Sequence, residues 1–161
     1  MTDLITPEIR KIYDKLRDAD FEVYFVGGCV RNLIMKLPVK AWDLTTNATP
    51  EQTLKLFPNG FYNNEFGTVG IPSKQEVVEI TTFRTEHGFS DRRHPNKVKW
   101  GETIEEDLAR RDFTINALAL RLGEDSHELV DPFYGVRVIE LGLIKAVGDP
   151  QIRFNEDALR L

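Results

Sequence analysis

At 161 residues, with 41% apolar and 29% charged positions, the chain can close one hydrophobic core but hardly two, and neither disorder nor a long linker describes it. Its net charge of −5 argues against a nonspecific nucleic-acid binder, whose affinity comes from lysines and arginines neutralising phosphates, so any polynucleotide contact must be local. Cys29 is the single cysteine, which excludes an internal disulfide and argues against a thiolate zinc site; with no apolar run near ~18 residues and no signal-like segment after Met1, a cytoplasmic protein without a membrane partner is expected.

In chain order, Ile9, Ile12, Tyr13 and Leu16 recur at helical spacing behind Thr6-Pro7, a cap followed by proline in the first turn. A β-rich run over Phe21–Val26 stops at Gly27-Gly28 and gives way to a helical segment over Cys29–Met35, which puts the glycines at a strand-to-helix junction. An extended segment is predicted around Trp42–Thr45, and Thr49-Pro50-Glu51-Gln52 reads as a capping box opening a helix through Phe57. Phe66–Pro72 and Glu76–Arg84, joined by Ser73-Lys74-Gln75, fit a hairpin. Between Arg84 and Lys97 the chain turns polar and basic and reads as a loop. Thr103 caps a short acidic helix through Leu108, and Phe113, Ala117 and Leu118 give an apolar face to a further helical stretch. Val130–Val147 looks mostly extended, interrupted by Pro132 and Gly135, and a helical pattern starts again at Pro150 and is still running at Leu161. Phe21, Phe25, Phe66 and Phe83 read as core, and the three histidines are too scattered for a metal site.

A glycine pair after a strand is most simply a turn; it is also a place where backbone N–H groups can approach a phosphate, because no Cβ stands in the way and the helix dipole favours an anion. The three spaced glycines of a dinucleotide-binding fold are absent. The pair opens Gly27-Gly28-Cys29-Val30-Arg31-Asn32, followed by Ala41-Trp42-Asp43-Leu44-Thr45-Thr46. These two segments resemble the signature of the polymerase β-type nucleotidyltransferase superfamily, and in particular its CCA-adding tRNA nucleotidyltransferase and bacterial poly(A) polymerase branch, whose form is Gly-Gly-x-Val-Arg-Asp and then Asp-x-Asp on the next strand. Two further segments strengthen the likeness: Arg110-Arg111-Asp112-Phe113-Thr114-Ile115-Asn116 is similar to a family motif for nucleotide and ribose contacts, and Glu156-Asp157-Ala158-Leu159-Arg160 to its base-selecting motif. The likeness runs from about Phe21 to Leu161.

The resemblance implies an α+β head, with a mixed sheet of about five strands and helices mainly on one face. It implies residues 1–150 as the head domain and 151–161 as the start of a neck helix, ended within it. The reaction implied is template-independent addition of CMP and AMP from CTP and ATP to the 3′ end of tRNA. Asp-x-Asp on a strand points both carboxylates to one face, where they can hold two Mg2+ ions. Asp43 and Glu79 are the carboxylates expected to ligate metal and carry catalysis, with Glu79 assigned by its likeness to the family's Glu-x-Thr-Thr-Phe-Arg stretch. Nucleotide contacts are expected from Gly27, Gly28, Arg31, Arg110, Arg111, Asp112, Asn116, Glu156, Asp157 and Arg160. Asp157 and Arg160, three apart, share a helix face and can read the groups common to cytosine and adenine; the same spacing also describes an exposed ion pair. Arg110 and Arg111 equally describe a solvated basic patch, and Asn116 a satisfied buried amide. Arg84, Asp91, Arg92 and Arg93 belong to a segment resembling the flexible loop that helps switch selection from C to A, or to an ordinary surface loop.

Two departures matter. Ala41 stands where the family has the first aspartate, and a methyl group ligates no metal, so a weakened Mg2+ site and a transfer rate lower by several orders of magnitude are expected. Asn32 replaces the aspartate expected after Arg31. The resemblance also implies helical domains after the head that supply most of the tRNA-binding surface; with none after Leu161, weak tRNA binding is expected. A nonenzymatic nucleotide- or RNA-binding module, or a poly(A)-, CC- or A-adding relative, is the alternative.

Overall fold

A computed structural model describes residues 2–64, 67–74, 76–87, 97–124 and 126–156. Helix α1 (Pro7–Arg17) starts where the Thr6 hydroxyl accepts the Ile9 N–H, and its face of Ile9, Tyr13 and Leu16 is buried. Strand β1 (Val23–Val26) leads through Gly27 into helix α2 (Gly28–Ile34). Strand β2 (Asp43–Thr46) precedes helix α3 (Pro50–Leu56), which carries the capping box in full: the Thr49 N–H donates to Gln52 Oε1 at 2.8 Å, and the Gln52 N–H to Thr49 Oγ1 at 3.3 Å. Strands β3 (Phe61–Asn64), β4 (Thr68–Pro72) and β5 (Val77–Thr82) form a meander. A ribbon of β6 (Arg84–His87) and β7 (Lys97–Trp100) comes next, then α4 (Ile104–Ala109), a 3-10 turn at Thr114–Asn116, the hairpin β8 (Ala119–Leu122) and β9 (His127–Val130), α5 (Gly135–Glu140) and α6 (Pro150–Glu156).

The main sheet has seven strands in the order β3-β4-β5-β2-β1-β8-β9, and every described neighbour is antiparallel except β2 and β5, which run parallel. Alternation along the strands sorts the side chains onto two faces. On one face Val23, Phe25, Leu44, Val78, Ile80 and Leu120 pack with Ile9, Tyr13, Leu16, Val30 and Leu33 from α1 and α2, forming the larger core. On the other, Tyr24, Val26 and Ala119 meet Phe83 and the α4 residues Ile104 and Leu108. Asp43, Thr45, Glu79 and Thr81 alternate with core residues and so belong to this second face.

The α+β head is as expected, with corrections in detail. The sheet has seven strands, not about five, because β3 lacks alternation and β9 is an exposed edge strand with little apolar signal. The ends of the Arg84–Lys97 stretch pair with each other as β6 and β7. The helical stretch expected over Phe113–Leu118 is a single 3-10 turn that enters β8. The segment Val130–Val147 is not mainly extended: the Asp131 carboxylate accepts the N–H groups of Gly135 at 2.6 Å and Val136 at 3.0 Å and so starts α5, overriding the strand preference of Val136, Val138 and Ile139. Phe25 and Phe83 are buried as core, and Phe66 lies outside the described residues. No described helix is long and apolar enough to cross a membrane.

Candidate active site

The site begins with the backbone at Gly27. Its φ of +72° suits glycine, and its N–H donates to the Leu118 carbonyl at 3.1 Å, which ties the turn to the entrance of β8. A Cβ on Gly27 would lie 2.9 Å from Arg111 Nη1, and one on Gly28 3.5 Å from Arg31 Nη2. Two guanidinium groups therefore flank the glycine pair where the first N–H groups of α2 are unpaired within the helix. Arg31 is held in turn by Asn116, whose Oδ1 accepts its Nη1 at 2.6 Å, and by Asn32, whose Oδ1 accepts Nε at 3.2 Å and Nη2 at 3.1 Å. The Asn32 amide also donates to the Pro38 carbonyl at 2.9 Å. Asparagine thus supplies the acceptor that Arg31 needs and a donor that a carboxylate lacks.

Cys29 sits beneath the turn, its thiol donating to the Val26 carbonyl at 3.0 Å and lying 3.5 Å from the Asp43 carbonyl. Burial pushes its pKa up to about 11, so it remains a thiol that staples the end of β1 to the start of β2.

Asp43 and Glu79 are direct register partners across the parallel β2–β5 pair, on the same face of adjacent strands. The Glu79 N–H donates to the Trp42 carbonyl at 3.1 Å, and the Trp42 ring packs edge-on against Phe25 in the core. With Trp42 pointing inward, Asp43 is turned to the opposite face. Burial raises the Asp43 pKa above its ordinary value, the neighbouring Glu79 charge raises it further, and Arg111 offsets part of this. Ala41 lies in an exposed bend and brings no ligand. Among the described residues no group of three or more acidic, histidine or cysteine side chains is placed to hold a metal ion. Two adjacent carboxylates suit one divalent cation that completes its shell with phosphate oxygens and water; they do not suit an all-protein cage.

The sequence reading overlooked Asp107. It is fully buried on α4, and its two oxygens divide a pair of arginines: Oδ1 accepts Arg110 Nε at 3.1 Å and Nη2 at 2.8 Å, while Oδ2 accepts Arg111 Nη2 at 3.2 Å. Burial alone would raise its pKa, and the two guanidinium charges outweigh that and leave it lowered. The signal was present as spacing, since Asp107 stands three and four residues before the arginines, but it ends the acidic run Glu105-Glu106-Asp107, and spacing alone does not say which side of that short acidic helix is buried.

The other expected residues fall into three groups. Arg31, Arg111 and Asn116 converge on the glycine turn. Asp112 shapes its own turn, its Oδ1 accepting the Phe113 N–H at 2.7 Å and its carbonyl the Val147 N–H at 2.9 Å, and Arg84 lies on the ribbon opposite Trp100. Glu156 ends α6, while Asp91, Arg92, Arg93, Asp157 and Arg160 lie outside the described residues. Helix α6 is fastened to the head through Arg153, which donates to the Ala109 carbonyl at 2.5 Å and the Val147 carbonyl at 2.9 Å, and through Phe154 beside Phe113.

Residues 23–145 match the family described as the poly A polymerase head domain. The chain belongs to that family. Curated relatives of this poly A polymerase head domain include the CCA-adding enzymes of Ligilactobacillus salivarius, 44% identical over 151 residues, and Limosilactobacillus fermentum, 48% identical over 153 residues. These alignments cover 93% and 94% of this chain but only 37% and 38% of the relatives, so the head domain spans less than two fifths of their length. Among solved structures, the Bacillus stearothermophilus CCA-adding enzyme in complex with CTP superposes with a TM-score of 0.83 at 36% identity, covering 96% of this chain and 37% of that one. A tRNA nucleotidyltransferase complexed with a primer tRNA and an incoming ATP analog gives 0.72 at 26% identity, covering 92% and 42%. The glycine turn, the carboxylate pair and the Arg110–Asp107–Arg111 cluster of this head domain all lie inside the matched range, and α6 lies beyond it.

Proposed function

We propose that the chain is the nucleotide-transferring head of a CCA-adding tRNA nucleotidyltransferase, a cytoplasmic enzyme that extends the tRNA 3′ end with CMP and AMP from CTP and ATP and releases pyrophosphate. The observation that carries this reading is the in-register Asp43–Glu79 pair on the sheet face that feels the charge of Arg111, the same guanidinium that borders the Gly27-Gly28 turn. The triphosphate rests at the glycine turn, where Arg111, Arg31 and the first N–H groups of α2 neutralise its charge. Asp43 and Glu79 would hold a divalent ion such as Mg2+, which when bound would supply charge stabilisation for phosphoryl transfer. Asn116, through its bond to Arg31, keeps the guanidinium on the turn while the reacting groups align.

Ala41 removes one carboxylate from this arrangement, and the reading includes a strongly reduced rate. The same residue favours a second reading, a module that binds nucleotide without turning it over. The two are separated by incorporation of labelled CTP and ATP into tRNA lacking its terminal CCA, with the chain and its Ala41→Asp variant each fused to the carboxy-terminal part of the Limosilactobacillus fermentum enzyme. Aspartate is expected to raise incorporation by roughly two orders of magnitude or more. Nucleotide binding without rescue in the folded fusion would instead establish the binding module, and long A tails would identify a poly(A)-adding relative.

A further inference from the structure

Within the Arg110–Asp107–Arg111 triad the two arginines are held unequally. Arg110 places both Nε and Nη2 on one carboxylate oxygen, at 3.1 and 2.8 Å. Arg111 gives the other oxygen a single Nη2 contact at 3.2 Å, its Nη1 lies against the Gly27 backbone, and its Nε is buried with no hydrogen-bond acceptor. The triad sets two guanidiniums on one carboxylate, and the one with the single contact borders the turn.

We propose that Asp107 is the positioning residue of the nucleotide cradle: one of its oxygens fixes Arg110 as an anchor, and the other turns Arg111 toward Gly27 as the guanidinium that receives the triphosphate. This rests on the nucleotide-binding reading above. It separates the work of two adjacent arginines that the sequence presents as equivalent. Asp107 touches no nucleotide; removing its charge swings Arg111 away from the turn and weakens triphosphate binding through that residue alone.

The test is a double-mutant cycle read by calorimetric titration of CTP with Mg2+ into the chain, Asp107→Asn, Arg111→Ala and the double variant, with folding checked by cooperative urea unfolding. Each single variant is expected to bind CTP more weakly by on the order of tenfold or more, and the double variant no more weakly than the worse single. Parent-like affinity in folded Asp107→Asn, or losses that multiply in the double variant, would overturn the proposal. Where asparagine prevents folding, Asp107→Glu keeps the buried charge but shifts the carboxylate by one methylene and so displaces Arg111; it too must lose CTP affinity in the parent and none further in the Arg111→Ala background, or the proposal falls. A readout without nucleotide separates this inference from the functional reading. The Arg111 Nε–H resonance is expected to exchange slowly with water in the parent and quickly in Asp107→Asn. If that contrast appears while the parent binds no CTP, the functional reading fails and the positioning role stands; if the resonance exchanges alike in both, the positioning role fails.

Discussion

Asp43 pays for its location in the currency of protonation. Burial and then Glu79 raise its folded-state pKa above the ordinary 3.8, so the folded chain takes up its proton more readily than the unfolded chain. Stability therefore falls as pH rises from the ordinary value through the raised one, and at neutral pH the ionised side chain works against folding. Asp43→Asn removes the charge, and the variant is expected to unfold at higher urea than the parent at pH 7. That advantage should shrink as the pH falls through this window and vanish below it. A urea series across pH checks this, and a variant less stable than the parent at pH 7 would contradict it. Asp107 shows the opposite balance, since two guanidiniums more than repay its burial. Both aspartates were equally visible as letters. Asp43 was legible because it sits in a recognisable pattern on a strand, and so were Gly27, Gly28, Arg31 and Arg111. Asp107 was not, because helical spacing identifies candidate partners without saying which side of the helix is buried. The role of Asn32 was likewise invisible, since it depends on Arg31 and the Pro38 carbonyl meeting one amide.

Among the elements, α1 shows how a surface helix can set a sheet. Tyr13 stacks on Phe25 with ring centroids 5.2 Å apart, and its hydroxyl donates to the Val23 carbonyl at 3.0 Å while accepting the Leu122 N–H at 2.8 Å. One oxygen thereby joins β1 to β8 at the end of the strand pair opposite the Gly27 turn. Tyr13→Phe keeps the ring and strands the two backbone groups, so it is expected to cost about 1–3 kcal/mol in urea unfolding with an unchanged dependence on denaturant. The helices α1 and α3 were legible from their Thr-Pro caps, and α2 from the glycine pair that ends the strand before it. Strands β3 and β9 escaped because edge strands carry little of that pattern, and α5 because a side-chain cap outweighed the propensity of its own residues.

At the scale of the molecule, the segment Arg110–Thr114 acts as a seam. The Val147 N–H reaches the Asp112 carbonyl, the Thr114 N–H reaches the Lys145 carbonyl, and Arg153 bonds the Ala109 and Val147 carbonyls from α6. Helix α6 is thus oriented by the same stretch that carries the arginine pair. Arg153→Ala is expected to speed amide exchange over Pro150–Glu156 on the order of tenfold while leaving α1 and β1 protected as before, since local opening draws on few contacts. Exchange measured by mass spectrometry checks this, and equal acceleration across the whole chain would show that Arg153 supports global stability instead.

The pairing of β1 with β8 also has a meaning in time. A ribosome delivers the chain from its amino end at about 5–20 residues per second, so β1, α2 and β2 wait on the order of 5 to 20 seconds before β8 is made. Through that interval one edge of β1 has no neighbour, and the Gly27 N–H has no Leu118 carbonyl to meet. Arg111 and Asn116, which complete the surroundings of the turn, come from the same late stretch. The nascent polypeptide therefore carries Asp43 and Glu79 well before the residues that complete the surroundings of the glycine turn, which arrive together with the second neighbour of β1.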